Sequence, residues 1–352
     1  MTTITKGNFT KVVRARAPLR LGLAGGGTDV SPYADLYGGY VLNATIDRYA
    51  YAVISPSDKN LVKFSATDRY VEDIVDSKFE IVLDGKLDLH KSVYNHFIKT
   101  YNHGINIPLN LTTFCDAPSG SGLGSSSTLV VAIISAFSEF LGISFDDYSL
   151  AALAYKIERI DCGLGGGRQD QYSATFGGFN FMEFFEKDRV LVNPLRISDW
   201  IICELEASLI LFYTGVSRAS EKIIEDQRAN VAANIMPTIN AMHGIKKEAL
   251  QMKEGLLRGD FSLIIDSMLN GWHCKKQSAV SVTNPLVNEI YSSAISAGAL
   301  AGKVSGAGGG GFMMFFTSPD KRLQVISELN KFKGIVSNCH FTNYGAQSWT
   351  LK

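Results

Sequence analysis

The 352-residue chain has no C-x-x-C pair and no H-E-x-x-H helix signature. Its five cysteines, Cys115, Cys162, Cys203, Cys274 and Cys339, lie far apart and are odd in number. That pattern argues against a disulfide scaffold or a zinc knuckle and for buried thiols in a reducing cytoplasm. There is no charge excess of either sign, with 34 Lys plus Arg against 34 Asp plus Glu. A broad nucleic-acid or acidic-membrane surface is therefore not expected, and any charge that meets a phosphorylated ligand must be gathered locally. The first ten residues are polar and carry no secretory signal, and the longest apolar run, within 129–141, is too short to span a bilayer. The chain also lacks G-x-x-x-x-G-K-[ST], H-R-D and D-F-G, which excludes a P-loop enzyme and a protein kinase. One G-x-G-x-x-G occurs at Gly306 to Gly311, but strand-like residues 312–316 follow it, so it fails the context of a dinucleotide site.

The chain does hold enough apolar material, 46%, for an ample core, and its length points to two domains, drawn at 1–200 and 201–352. Strand-like segments are expected at 11–23, 48–55, 79–83, 109–115 and 176–184, with helices at 92–101, 128–141 and 148–160. After a strand at 208–212 the chain turns mostly helical, over 218–229, 231–255, 261–276 and 285–297. A strand at 312–316 and a helix at 321–331 close the pattern. No low-complexity linker or internal repeat interrupts it.

The densest signal is Pro118-Ser-Gly-Ser-Gly-Leu-Gly-Ser-Ser-Ser127, which sits directly before the apolar run. Gly120, Gly122 and Gly124 let the backbone curl so that several N–H groups face one point, and the helix start adds about half a positive charge. Such a place holds phosphate. Leu123 between glycines, and the apolar segment that follows, set it apart from a plain flexible loop. Ser125, Ser126 and Ser127 bring hydroxyls that can reach a metal on the phosphate.

Three further clusters fit phosphoryl transfer. In Glu158-Arg-Ile-Asp-Cys-Gly-Leu-Gly-Gly-Gly-Arg-Gln-Asp170, Asp170 follows a glycine loop, where a carboxylate can orient an alcohol and take its proton. Glu158 on the preceding helix can join Ser126 around Mg2+, which takes few carboxylates plus phosphate and water. The alternative is a solvated helix end with ordinary surface charges. Arg20 alternates with Leu19 and Leu21, so it points into a cleft or a structural ion pair. The glycines behind it, including Gly26 and Gly27, allow close backbone approach, and Thr28 and Asp29 offer hydrogen bonds to hydroxyls. The run from 306 to 311, with Gly308 and Gly309, serves close approach or a tight bend, with Lys303 and Ser305 nearby. Arg168, Lys275 and Lys276 could meet a second phosphate on a substrate, or be surface charges.

Three of these segments occur in one order: residues 16–29, 118–127 and 303–312. In that order they resemble the GHMP kinase superfamily. The A-P-L-R…A-G-G-G-T-D and G-G-G-R-Q-D-Q strings resemble its sugar-kinase branch, which holds the heptose 7-phosphate kinases and the kinase part of L-fucokinase. Residues 270–276 followed by Asn284-Pro285 are similar to the heptose kinases in particular. The resemblance implies an α+β, two-domain fold: a ribosomal protein S5-like N-terminal domain with a left-handed β-α-β unit, and an α/β ferredoxin-like C-terminal domain with added helices. It implies ATP in the inter-domain cleft, Asp170 as the catalytic aspartate, Arg20 as the cation beside the reacting groups, and Glu158 with Ser126 on Mg2+. The implied activity is phosphorylation of the anomeric hydroxyl of D-glycero-D-manno-heptose 7-phosphate, with no nucleic-acid or membrane partner and with a homodimer left open. The alternatives are an unphosphorylated sugar such as L-fucose, or a non-catalytic sugar and ATP sensor.

Overall fold

Alternation of small apolar and polar residues carries the chain through two long antiparallel strands. In β1 (Val12–Ala24), Val13, Ala15 and Ala17 are fully buried and alternate with the exposed or partly exposed Val12, Arg14 and Arg16, and from Ala17 onward the strand is buried on both faces. Its partner β2 (Gly39–Pro56) follows a short helix, α1 (Tyr33–Tyr37). The computed structural model describes residues 11–57, 59–216 and 220–351. The polar N-terminal ten residues therefore lie outside the described residues.

The first sheet has eight strands and forks at β2. The second half of β2 pairs with β5 (Leu109–Cys115), which continues to β3 (Leu61–Ala66) and β4 (Val71–Asp76). The first half pairs with β6 (Phe179–Phe184), which leads to β7 (Val190–Pro194). A second sheet of four antiparallel strands has the order β11 (Ile335–Asn338), β8 (Leu209–Tyr213), β10 (Phe312–Thr317), β9 (Ala299–Val304). The last strand, β12 (Gln347–Leu351), returns to pair with the free edge of β1. The first sheet is thus built from both sides of position 200.

Helix α2 (Asp88–Tyr101) precedes β5, and α3 (Ser125–Leu141) follows it. Because α3 is apolar almost all round, it is the central helix. It buries residues from Val130 to Phe137 against β1, β2 and α2, and ends at Gly142 in the left-handed conformation. Two short helices, α4 (Asp147–Tyr155) and α5 (Gln169–Phe176), flank it. The chain then adds α6 (Asp199–Ser208), α7 (Ser220–Ala232), α8 (Met236–Arg258), α9 (Phe261–Ser278), α10 (Pro285–Ser296) and α11 (Arg322–Leu329). The antiparallel α8 and α9 pack on each other, with α8 against β2 and α9 against β9. An apolar cluster that draws Leu19, Leu21 and Leu42 from the first sheet and Leu211, Met314 and Phe316 from the second joins the two halves.

Several expectations are corrected. Residues 79–83 form no strand: Ile81 is buried in the core, while Phe79 and Val82 are exposed and the segment pairs with no sheet edge. The helix expected over 148–160 ends at Tyr155 and widens into a π-turn over Lys156–Asp161. The helix expected from 218 is described from Ser220, and residues 217–219 lie outside the described residues.

Candidate active site

The glycine-serine loop delivers α3 to a cleft of about 390 Å³ bordered by β1 at Arg20, by α9 at Lys275 and by the loop after β9 at Gly306 and Ala307. Gly120, Gly122 and Gly124 all have positive φ, between 71° and 81°, which the curl requires. Gly124 is the cap of α3 and has no side-chain partner to offer, so the first-turn N–H groups face the cleft. Ser125, Ser126 and Ser127 line it, as do Gly120, Gly122 and Gly124. Leu123 is different: it is fully buried in the core, and its carbonyl accepts from Arg20 N at 3.1 Å. It anchors the loop and does not face the cleft. Pro118 is likewise off the cleft wall, and its carbonyl accepts from Ser121 N.

Arg20 projects from β1 with 3% exposure and organises the floor. Its Nε and Nη2 donate to Asp170 Oδ1 at 2.7 and 2.6 Å, and its Nη1 donates to Gly122 O at 2.6 Å. The ion pair expected for this arginine and its place in the cleft are therefore the same feature. Asp170 stands in the first turn of α5, packed so closely on the loop that a methyl at Gly124 would lie 3.1 Å from its Cγ. The carboxylate thus sits beside the amide-rich helix start, with Oδ2 clear of the arginine.

Glu158 occupies the π-turn and is fully buried on the cleft wall. Its Oε2 accepts from Gln171 Nε2 at 2.6 Å, while Oε1 has no hydrogen-bond partner, with Arg159 Nη1 3.4 Å away. Arg159 and Gln171 are functional neighbours that the sequence reading missed. Arg159 also reaches Gly165 O and Ser127 Oγ, and Gln171 reaches the same Oγ. Their one sequence signal is adjacency to Glu158 and Asp170. Among the described residues no cluster of three or more His, Cys, Asp or Glu is suited to a metal. A carboxylate oxygen without a hydrogen bond, on the same cleft wall as the exposed Ser126, nevertheless fits Mg2+, which keeps water and phosphate as most of its ligands.

At the opposite end, Gly27 and Asp29 line the cleft, and Asp29 is already engaged. Its oxygens accept from Gly27 N, Gln169 N and Gln169 Nε2 at 3.1–3.3 Å. Thr28 is buried and its hydroxyl bonds Gly25 O and Tyr40 O, so it shapes the loop and does not face the cleft. Gly26 O accepts from Lys275 Nζ at 2.8 Å. Lys275 is buried in the cleft wall, and desolvation, opposed by Asp29, pulls its ammonium down to about 8.

Arg168 is corrected. It is 1% exposed and turned away from the cleft, held by Asp35 at 3.1 Å, Asp188 at 3.4 Å and Phe185 O at 3.1 Å. With its charge spent there, it braces the start of α5 and is withdrawn as a phosphate ligand. Lys276 lies over the Tyr291 ring, away from the cleft. Gly308 and Gly309 are also corrected. Gly309 N donates to Val282 O, and a methyl at Gly308 would lie 2.5 Å from that oxygen, so they pack on the 280–284 turn. Gly306 and Ala307 are the residues of this run that reach the cleft.

Comparison with known proteins matches this architecture. The family model "GHMP kinases N terminal domain" covers residues 88–178, and "GHMP kinases C terminal" covers 252–334. D-glycero-alpha-D-manno-heptose 7-phosphate kinase of Campylobacter jejuni is 46% identical over 97% of this chain and 100% of its own length. The chain belongs to the GHMP kinase family. As a GHMP kinase it is an enzyme with the two-domain fold of that family. A crystal structure of a D-glycero-D-manno-heptose 1-phosphate kinase from Bacteroides thetaiotaomicron superposes with a TM-score of 0.81 at 42% identity, covering 97% of this chain and 99% of that one. The L-fucokinase/L-fucose-1-P guanylyltransferase of Bacteroides fragilis is 26% identical over 86% of this chain, but this chain covers only 34% of it. No helix among the described residues is long and apolar enough to cross a membrane.

Proposed function

We propose that this GHMP kinase moves the γ-phosphoryl group of ATP to the anomeric hydroxyl of D-glycero-D-manno-heptose 7-phosphate, releasing ADP and the 1,7-bisphosphate. The observation that carries the reaction type is the Arg20–Asp170 pair packed against the start of α3. It sets a carboxylate where an acceptor alcohol can meet a phosphate held by helix amides. In that reading, the loop N–H groups bind the triphosphate. Asp170 orients the alcohol and takes its proton as the new O–P bond forms and the bond to ADP breaks. Arg20 fixes the carboxylate and puts positive charge beside the transferring group. Glu158 and Ser126 are the residues that would hold Mg2+. When bound, that ion would neutralise charge on the phosphates.

The sugar rests on the 46% full-length likeness to a heptose 7-phosphate kinase. The solved relative from Bacteroides thetaiotaomicron is named for heptose 1-phosphate instead, so that sugar phosphate is the second candidate. Buried Lys275 lines the same cleft as the start of α3, from a separate element, and so offers a second cation for a substrate that carries a phosphate of its own. All five cysteines are free thiols, the state a cytoplasm maintains, although only Cys339 is buried and Cys203 is exposed, against the expectation of buried thiols. A coupled assay of ADP release with ATP and Mg2+ tests the proposal on heptose 7-phosphate, heptose 1-phosphate, free heptose and L-fucose. Turnover of heptose 7-phosphate well above the others is expected. A preference for free sugar would move the enzyme toward the fucokinase-like alternative, and no ADP with any of them would leave the sensor.

A further inference from the structure

Behind the sugar end of the cleft lies a second, smaller chamber of about 30 Å³. Two ammonium groups line it, Lys275 from α9 and Lys303 from β9, and Lys275 also lines the main cleft. Neither has a carboxylate within ion-pair distance among the described residues. Lys275 Nζ donates to Gly26 O at 2.8 Å, and Lys303 Nζ donates to Gly22 O and Leu23 O at 2.9 and 3.0 Å. The side-chain oxygen Oε1 of Gln169, on the same wall, is buried without a partner. Backbone carbonyls are the direct partners of two cations that line one small space, an arrangement that is costly without a counter-charge in contact. Desolvation and the nearby charges of Lys275 and Arg20 pull Lys303 down to about 7.

We propose that Lys275 and Lys303 form the anion subsite for the phosphate that the sugar already carries, and so set the preference for a phosphorylated over a free sugar. The inference rests on the heptose phosphate reading of the cleft. Two ammonium groups match the charge of one phosphate dianion. The chamber has room for only about two water molecules, so the phosphate sits on the cleft side, where Gly27 leaves space. A methyl there would fall 2.8 Å from Lys275 Nζ. Lys275 makes the direct contact, and Lys303 adds its charge from behind. ATP's phosphates lie elsewhere, at the start of α3, so the subsite acts on the sugar and not on the nucleotide.

The test compares wild type with Lys275→Met and Lys303→Met on heptose 7-phosphate and on free heptose. Methionine keeps about the length of the side chain and removes the buried charge, and it leaves the carbonyl of Gly26, or those of Gly22 and Leu23, without that donor. A modest fall in melting temperature is expected, and a retained cooperative transition certifies the fold. The KM for heptose 7-phosphate should rise about 10- to 100-fold in Lys275→Met, the range for a lost charge-assisted bond, and less in Lys303→Met, with the KM for ATP little changed. Inorganic phosphite added with free heptose should raise turnover in wild type and not in Lys275→Met. A rise confined to the ATP KM, or an unchanged sugar-phosphate KM in both folded variants, overturns the subsite. If wild type itself shows no preference for the phosphorylated sugar, the substrate reading fails first.

Discussion

The carboxylate of Asp170 does two things at once. Arg20 takes Oδ1 from two sides, at 2.6 and 2.7 Å, which leaves Oδ2 as the oxygen that can meet an alcohol. Asp170→Asn keeps the shape and one acceptor oxygen but cannot take a proton. Turnover should fall by about a hundred-fold or more while ATP still binds, since a general base is worth that much. Steady-state kinetics with nucleotide binding by calorimetry checks this, and intact turnover would remove Asp170 as the base. Lys275 gives a second prediction. Burial brings its ammonium to about 8, opposed by the Asp29 carboxylate. Below that pH the cation is present, and above it the charge is lost, so sugar-phosphate affinity should weaken as pH rises. The phosphate itself is largely dianionic above about pH 7 and does not titrate there. The facing groups are Asp29 on the first glycine loop and Lys303 on β9, which loses its own proton near 7. The KM for heptose 7-phosphate should therefore climb between pH 7 and 9 in wild type and stay flat in Lys275→Met. At this scale Asp170 and Arg20 stood out because one follows a glycine loop and the other alternates with leucines, and the fold brings both to the cleft wall together with Glu158 and Lys275. The place of Arg168 was not legible, because the carboxylates that hold it, Asp35 and Asp188, lie on separate elements and only the fold brings them to it.

Two glycine-rich loops make one structure at the level of elements. A methyl at Gly122 would lie 2.4 Å from Ser305 O, one at Gly306 would lie 2.9 Å from Gly122 Cα, and one at Gly311 would lie 2.4 Å from Ser121 O. Phe312 N donates to Ser121 O, and Ser305 Oγ donates to Gly122 O. The loop that feeds β10 is therefore glycine-rich so that it can lie backbone against backbone on the phosphate loop. Gly122→Ala meets both obstacles, a φ of +81° and that contact. It should cost about 1–3 kcal/mol of stability and weaken ATP binding by at least tenfold, read by thermal melting and by nucleotide titration. Unchanged ATP affinity would mean that the loop's curl is not set by this contact. The sequence announced both loops but not their contact, since 183 residues separate Gly122 from Ser305. It also announced most helices and strands through their apolar periods. It misled at residues 79–83, where an apolar run finds no sheet edge, and at 156–161, where the widened turn that aims Glu158 inward has no compositional mark.

On the scale of the whole molecule, the cleft is a seam between β1, α9 and the loop after β9. Lys303 from the second sheet reaches across to the carbonyls of Gly22 and Leu23 on β1, and Arg20 from β1 reaches Gly122 and, at 3.5 Å, Ser305. Strand β1 is therefore the shared beam, and its own support comes from the far end of the chain. Strand β12 pairs with it from Val12 opposite Leu351 to Arg16 opposite Gln347. Gln347 Oε1 accepts from Arg16 Nε and Nη2, and Thr350 Oγ1 donates to Glu139 on α3. Deleting residues 347–352 strips this edge from β1 and from the central helix together. With about 1 kcal/mol for each of roughly five ladder hydrogen bonds lost, and about 1.4 °C of melting temperature per kcal/mol from an unfolding entropy of about 2.1 cal/mol/K per residue, the Tm should fall by about 5–10 °C. Because β1 carries Arg20, the loss should also appear as a lower kcat with ATP at saturating concentration. A melting temperature and kcat equal to wild type would show that β1 is held by β2 alone and that the chain end adds nothing to the site.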